Sequence, residues 1–192
     1  MGAAAQPLVP GEAGELIARL ERLHPLVRAH SRAVAVIGAR VARVLGADDD
    51  AVRLAGSVHD VGKLTIPRAI LDKPGPLTSS EWRLVRLHPA EGERLLQASF
   101  ADRPEVLAAV RSHHERWDGR GYPDGLAGAD VPLVARIIAV ADAFQAMLEL
   151  RPYRRQRGPR EALDEIEAHA GAQFEPACAS ALRLALDADV TR

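Results

Sequence analysis

Apolar residues along most of this chain recur at steps of three and four, the spacing that places them on one face of an α-helix. Leu16, Leu20, Leu23 and Val27 make one such run, and Val34, Ile37, Val41 and Leu45 make the next. Gly46 closes the second run, and Asp48 to Asp50 predict a capped start for a third helix through Val52, Leu54 and Val58. Thr78, followed three residues later by Glu81, fits a capping box. Pro104 predicts a helix start that runs to about His114, Pro132 opens a helix over Leu133 to Leu150, and Pro159 opens another. Strand-like alternation and hairpin dipeptides are absent, so the pattern predicts an all-α fold.

Two segments resist the helical reading. One is Gly62 to Pro76; the other is Asp118 to Gly128, where Gly119, Gly121, Pro123, Gly125 and Gly128 crowd together. Both are predicted loops, and ordered loops on a helical scaffold commonly carry binding groups. Residues 1–14, rich in Ala, Gly and Pro and without a period, are predicted to be a flexible lead. Residues 15–192 then form a single domain, a length that suits one core.

Composition narrows the chemistry. The chain has 25 basic and 26 acidic residues and a net charge of -1, so bulk charge offers no attraction to a polyanionic backbone, and neither DNA nor RNA is expected as a partner. A local group of arginines can still grip a small phosphorylated ligand. Cys178 is the one cysteine, which leaves nitrogen and oxygen as metal donors. The most apolar stretch, Val131 to Leu150, is interrupted by Arg136, Asp142 and Glu149, and the N-terminus lacks the order of a secretory signal. The expectation is a cytoplasmic protein with no membrane partner.

His59-Asp60 ends the apolar run Leu54 to Val61, where an ionised carboxylate needs a partner or a metal. Neighbours on a helix diverge by about a quarter turn, so His59 can bind one ion while Asp60 bridges to another. Asp142 is likewise one acid inside an apolar helix, and His113-His114 is a second doublet, beside the glycine-rich loop. Taken singly, each has a plainer explanation: an acid paired with arginine, or a histidine on the surface. Lys63, one turn beyond His59, could reach a phosphoryl oxygen or assist a leaving group. Arg151 and Arg154 fit a phosphate or base grip, against a role at a helix C-terminus. Tyr122 can stack on a base, donate to phosphate or pack the loop.

The strings His59-Asp60-Val61-Gly62-Lys63 and His113-His114-Glu115-Arg116-Trp117-Asp118-Gly119-Arg120-Gly121-Tyr122-Pro123 resemble the two signatures of the HD-GYP family. The resemblance runs from about His30 to Phe174. It implies a bundle of about seven helices with a glycine-rich loop, and a metal-dependent phosphodiesterase acting on cyclic di-GMP to give the linear dinucleotide or GMP. It also implies a possible signalling-protein partner at the loop. Family ligand positions fall on His30, His59, Asp60, His88, His113, His114 and Asp142, each filled by the expected type. That set suits two divalent ions, iron or manganese, with Asp60 shared between His30, His59 and Asp142 on one side and His88, His113 and His114 on the other. A water between such ions would lose a proton near neutral pH and attack phosphorus, with Asp60 and Lys63 at the reacting centre. Gly121, Tyr122, Gln145, Arg151 and Arg154 are the expected substrate contacts, while His24 and His169 match no ligand position.

The sequence departs from the family in two places. Leu26 stands where some members carry a glutamate for a third metal, so two ions are expected. Phe144-Gln145-Ala146-Met147 stands where the family reads Phe-Asp-Ala-Met, so Gln145 replaces an acid. Its loss of charge gives weight to one rival reading, a metal-containing module that senses the dinucleotide or docks a partner without useful turnover; the other rival, a general nucleotide phosphohydrolase of the wider HD superfamily, is opposed by the intact Gly121-Tyr122-Pro123. No receiver or sensory segment is recognisable ahead of the module, which suggests either a stand-alone enzyme or a piece of a longer protein.

Overall fold

The computed structural model describes residues 11–149 and 156–187. Among them are ten α-helices: α1 (Gly11–Leu23), α2 (Pro25–Leu45), α3 (Asp49–Val58), α4 (Arg68–Leu71), α5 (Ser79–Val85), α6 (His88–Leu96), α7 (Pro104–Ser112), α8 (Leu133–Leu148), α9 (Pro159–Ala168) and α10 (Pro176–Asp187). No strand occurs among the described residues, only an isolated bridge between Ala170 and Phe174. Three features differ from the sequence expectation. The first helix starts at Gly11, inside the segment read as a lead, because Ala13 is fully buried against the rest of the fold. The segment Gly62 to Pro76 is not all loop, since it holds a 3₁₀ helix (Val61–Thr65) and the four-residue α4, elements too short to show a period. The ten helices exceed the expected seven partly for the same reason.

The helix signals that were legible have their physical partners. Asp48 Oδ1 accepts from the amides of Asp50 and Ala51 at 3.0 and 3.1 Å, capping α3. At α5, Thr78 Oγ1 accepts from Glu81 N at 3.3 Å while Glu81 Oε2 accepts from Thr78 N at 2.7 Å. Lys73 Nζ donates to the same Glu81 oxygen at 2.7 Å.

The long α2 forms the spine and packs against α3, α8 and α10. Val34 and Val41 of α2, Val52 and Val58 of α3, Ile137, Ile138 and Val140 of α8 and Leu182 of α10 are all buried in one cluster. Each such aliphatic side chain contributes roughly 2 kcal/mol by leaving water. Buried alanines on α2 and α3, Ala35, Ala39, Ala51 and Ala55 among them, keep those two helices close. Close packing brings His30 on α2, the end of α3 and the middle of α8 to one place. No described helix is long and apolar enough to cross a membrane.

Candidate metal centre

Five pieces of chain deliver the seven expected ligands to one interior spot. His30 comes from α2 and Asp142 from α8; His59 and Asp60 follow α3; His88 begins α6; His113 and His114 follow α7. The approach of α6 depends on Gly62. A Cβ there would collide with the His88 carbonyl and lie 2.6 Å from Gly92 N, so the turn after Asp60 rests directly on α6 because residue 62 has no side chain. The sequence string around His59-Asp60 is therefore also the means by which Asp60 meets His88.

The side chains form two trios, His30, His59 and Asp142, and His88, His113 and His114, each with donor atoms within 4.8 Å of one another. Asp60 stands between them, with Oδ2 3.5 Å from His59 Nε2 and Oδ1 3.5 Å from His88 Nε2. His30 Nε2 lies 3.0 Å from Asp142 Oδ1. His59, His88 and His113 are about 1% exposed, and Asp60 is 4% exposed.

Hydrogen bonds fix which ring nitrogens face inward. Nδ1 of His59, His88 and His113 lies 2.8, 2.8 and 2.6 Å from the main-chain carbonyls of Gly56, Val85 and Val110, each three residues upstream. A carbonyl only accepts, so Nδ1 carries the proton and Nε2 presents a lone pair to the interior. The Nε2 atoms of His88 and His113 are then two acceptors 3.1 Å apart. A cation between or beside them is what such an arrangement suits, and a set of imidazole and carboxylate donors fits a divalent transition metal.

Charge follows the same division. Burial holds the pKa of His88 down at about 4 and that of His114 at about 3, with the charges of His88 and Lys63 adding to the effect for His114. Burial and the surrounding histidines press His113 well below the usual range as well. That trio is neutral at pH 7 and offers lone pairs rather than protons. Burial also opposes charge on His30, but hydrogen bonding and charge from Asp142, with Asp60 and Glu149 beyond it, prevail and raise it to about 9. Asp60 would be made less acidic by burial, yet Lys63 Nζ at 2.6 Å and the nearby histidines hold it well below the usual carboxylate range.

A cavity of about 340 Å³ opens onto this centre, lined by Arg86, His114, Arg120, Gly121, Tyr122 and Asp142 among others. The Tyr122 ring lies 4.9 Å from that of His114, and the Arg86 guanidinium sits 5.3 Å above Tyr122, a layered path from the ligands to the surface. Burial, with the charges of Asp60 and Asp142, raises the Tyr122 pKa, so its hydroxyl keeps a proton to donate. The glycine-rich loop is held in place by buried Glu115, whose Oε1 accepts from Asp124 N at 2.6 Å and Gly125 N at 3.0 Å. A Cβ at Gly121 would lie 2.5 Å from the Glu115 Cα and collide with Arg116 N, so only glycine lets the loop fold back this closely. The Tyr122–Pro123 peptide is cis. A second cavity, of about 320 Å³ between α1, α2 and α3, reaches Asp60 from the other side.

All seven expected ligand residues thus converge, and Lys63, Gly121 and Tyr122 border them. Gln145 is elsewhere than the cavity lining: its Nε2 donates to Glu149 Oε1 at 3.3 Å, behind His30. Arg151 and Arg154 lie outside the described residues. His24 and His169 stay apart from the centre, the former 3.5 Å from Asp72 and the latter bonded to its own helix at Glu165 O. Sequence reasoning missed Arg86, Arg120, Glu115 and Glu149. Glu115 and Arg120 sit inside the second quoted string and Arg86 two residues before His88, but their roles depend on how the loop folds, which no spacing encodes.

Comparison with known proteins accords with this geometry. The HD domain profile matches residues 15–178. The chain is 46% identical over 147 residues to the cyclic di-GMP phosphodiesterase response regulator RpfG of Xanthomonas campestris, an alignment covering 74% of this chain and 39% of that protein. It is 39% identical over 166 residues to the 3'3'-cGAMP-specific phosphodiesterase 3 of Vibrio cholerae, covering 85% of this chain and 36% of that protein. The chain therefore spans about two fifths of the length of these curated relatives. In fold it is similar to the crystal structure of a cyclic GMP-AMP-specific phosphodiesterase of V. cholerae, with TM-score 0.68 and 17% identity, covering 92% of this chain and 49% of that one. Since the matched span contains both signature strings and every residue of the two trios, the chain belongs to the HD domain family, in its HD-GYP branch.

Proposed function

We propose that this domain is a phosphodiesterase that opens a cyclic dinucleotide, cyclic di-GMP foremost, to the linear dinucleotide or on to GMP. The observation that carries the reading is the pair of histidine-rich trios flanking one shared carboxylate, Asp60, with His113, His114 and Asp142 of those trios lining a cavity that Arg86 and Arg120 also line. Two divalent ions, iron or manganese, held by His30, His59 and Asp142 and by His88, His113 and His114 with Asp60 common to both, would supply Lewis acidity to phosphoryl oxygens and make water at the site more acidic. The chain's own groups do the rest. Lys63 keeps Asp60 ionised, and with its side chain 29% exposed it has N–H bonds left for a phosphoryl oxygen or for the departing alkoxide. Tyr122 offers its hydroxyl as a donor. Arg86 and Arg120 have no carboxylate partner among the described residues, so their charge is free for phosphate or for the acceptor edge of guanine.

The relative named for 3'3'-cGAMP supports a second substrate of the same class, with one adenine in place of guanine. Purified protein loaded with Mn²⁺ or Fe²⁺, incubated with each dinucleotide and followed by chromatography of products, tests the proposal. We expect metal-dependent product from cyclic di-GMP at a rate at least equal to that from 3'3'-cGAMP. Tight binding of either dinucleotide with both ions present and no product would make the domain a receptor and overturn the assignment.

A further inference from the structure

His30 differs from the other ring ligands in how it is aimed. Where His59, His88 and His113 give their Nδ1 protons to main-chain carbonyls, His30 Nδ1 meets a side chain, Glu149 Oε1, at 2.7 Å. The same Glu149 oxygen accepts from Gln145 Nε2 at 3.3 Å. Residue 145 lies in the last turn of α8 and residue 149, four further on, directly follows its end, and their side chains meet behind His30. Position 145 is where the signature places an acid and this chain places glutamine.

We infer that Glu149 is the positioning residue for His30, a carboxylate supplied one helical turn beyond the position where the acid has been lost. The physical requirement is for an anion or acceptor behind Nδ1. With a cation in place of the Nε2 proton, a proton kept on Nδ1 and shared with a carboxylate leaves the lone pair on Nε2, which points at Asp142 and the interior, and makes that nitrogen a better donor to the cation. Gln145 cannot supply the charge, but its amide N–H holds the Glu149 oxygen in place, so the glutamine and the glutamate act as a unit. On this account the substitution at 145 moves the carboxylate rather than abolishing it, and the weak-receptor reading loses its main support.

The inference rests on the two-ion reading above, and the test separates the two. Wild type, Glu149→Ala, Gln145→Asp and the double variant Gln145→Asp/Glu149→Ala are titrated with Mn²⁺ by calorimetry, and ion content is counted after gel filtration. Glu149→Ala should weaken one of two Mn²⁺ sites by about ten- to a hundredfold and leave the other unchanged, the range for loss of a carboxylate behind a histidine ligand. The double variant should recover most of that loss, because an acid then stands at the other position facing His30. Unfolding of the ion-free proteins, followed by circular dichroism, should give similar midpoints, and Glu149→Gln, which keeps shape and loses charge, should show the same one-site loss at smaller size. Two unchanged sites in Glu149→Ala, equal weakening of both, or no recovery in the double variant would overturn the role of Glu149. A wild-type protein that takes up no Mn²⁺ would sink the metal reading itself.

Discussion

The two trios that flank Asp60 are built by different means. In His88 and His113, as in His59, the ring is aimed by a carbonyl three residues back along the same stretch of chain. That relation is local and comes with helix geometry, so it forms whenever the helix end forms. His30 is aimed by Glu149, 119 residues away, across the packing of α2 on α8. The trio of three histidines is neutral, whereas the trio with Asp142 carries charge on both His30 and Asp142. The difference teaches that the His59, His88 and His113 rings are set by local structure and the His30 ring by tertiary assembly. Changes far along the chain should therefore reach the His30 half and spare the other.

The largest expected effect removes the element common to both halves. Asp60→Asn keeps the shape but takes away the shared charge, leaving Lys63 as an uncompensated cation beside the neutral histidine trio and the His30–Asp142 pair. Ion content should fall from two toward zero, and turnover of cyclic di-GMP should drop by about a thousandfold or more, since each tenfold is 1.36 kcal/mol and an ion at phosphorus supplies several. Elemental analysis alongside a product assay checks both. Retention of two ions would show that Asp60 bridges nothing.

Next in size are changes confined to one half. His88→Ala should remove mainly one ion, and Asp142→Asn mainly the other, each leaving a protein with about one ion per chain. If either variant loses both, the halves are a single cooperative site and the division drawn above fails. Arg86→Ala touches the outer end of the stack that leads from His114 through Tyr122. Loss of one charge-assisted contact, about 1.5 kcal/mol, should raise the Michaelis constant for cyclic di-GMP around tenfold with both ions retained. Steady-state kinetics paired with metal analysis reads this, and an unchanged constant would confine Arg86 to packing on Tyr122.

How much of this was legible in the sequence follows the same line between local and distant. The cap at Asp48, the capping box at Thr78 and Glu81 and the proline helix starts each depend on residues within one turn, and they appear where the pattern puts them. His59-Asp60 and His113-His114 were visible as polar doublets in apolar contexts, and the division into two trios could be written down once the strings were seen to resemble HD-GYP signatures. Glu149 could not be found in that way. It reads as a charge that merely interrupts an apolar stretch, and only the crossing of α2 on α8 gives it a histidine to face. Gln145 shows the opposite limit: its identity flagged a change, but its direction, toward Glu149 and away from the cavity, is a matter of three dimensions. Gly11 to Gly14 looked like a lead because Ala13 carries too little apolar surface to register as a core position, although packing buries it completely.

The smallest expected effect tests whether the histidine trio is as local as it looks. His114 is the exception within it: no carbonyl of the described residues aims its ring, which leans on Tyr122, while its own carbonyl accepts from Tyr122 N at 3.2 Å. The loop that carries Tyr122 is tied to α7 by Arg111, whose Nε and Nη2 each lie 2.7 Å from a different oxygen of Asp124 and whose Nη1 reaches Glu93 on α6 at 2.9 Å. These groups are about one third exposed, so the fork is worth no more than about 1 kcal/mol and Arg111→Ala should lower the melting temperature by about 2–4 °C. Arg111 holds the Asp124 carboxyl below its ordinary range. A depressed acid stabilises the fold above the ordinary carboxylate range and ceases to do so as the pH falls through its folded-state value. The gap in melting temperature between wild type and variant should accordingly be full at pH 7 and close on acidification below the carboxylate range. Buried Glu115 still holds Asp124 and Gly125 by their amides in the variant, so both ions should remain bound. If Arg111→Ala instead sheds one ion, His114 is aimed by the loop, and the trio that appeared local depends on tertiary support as much as His30 does.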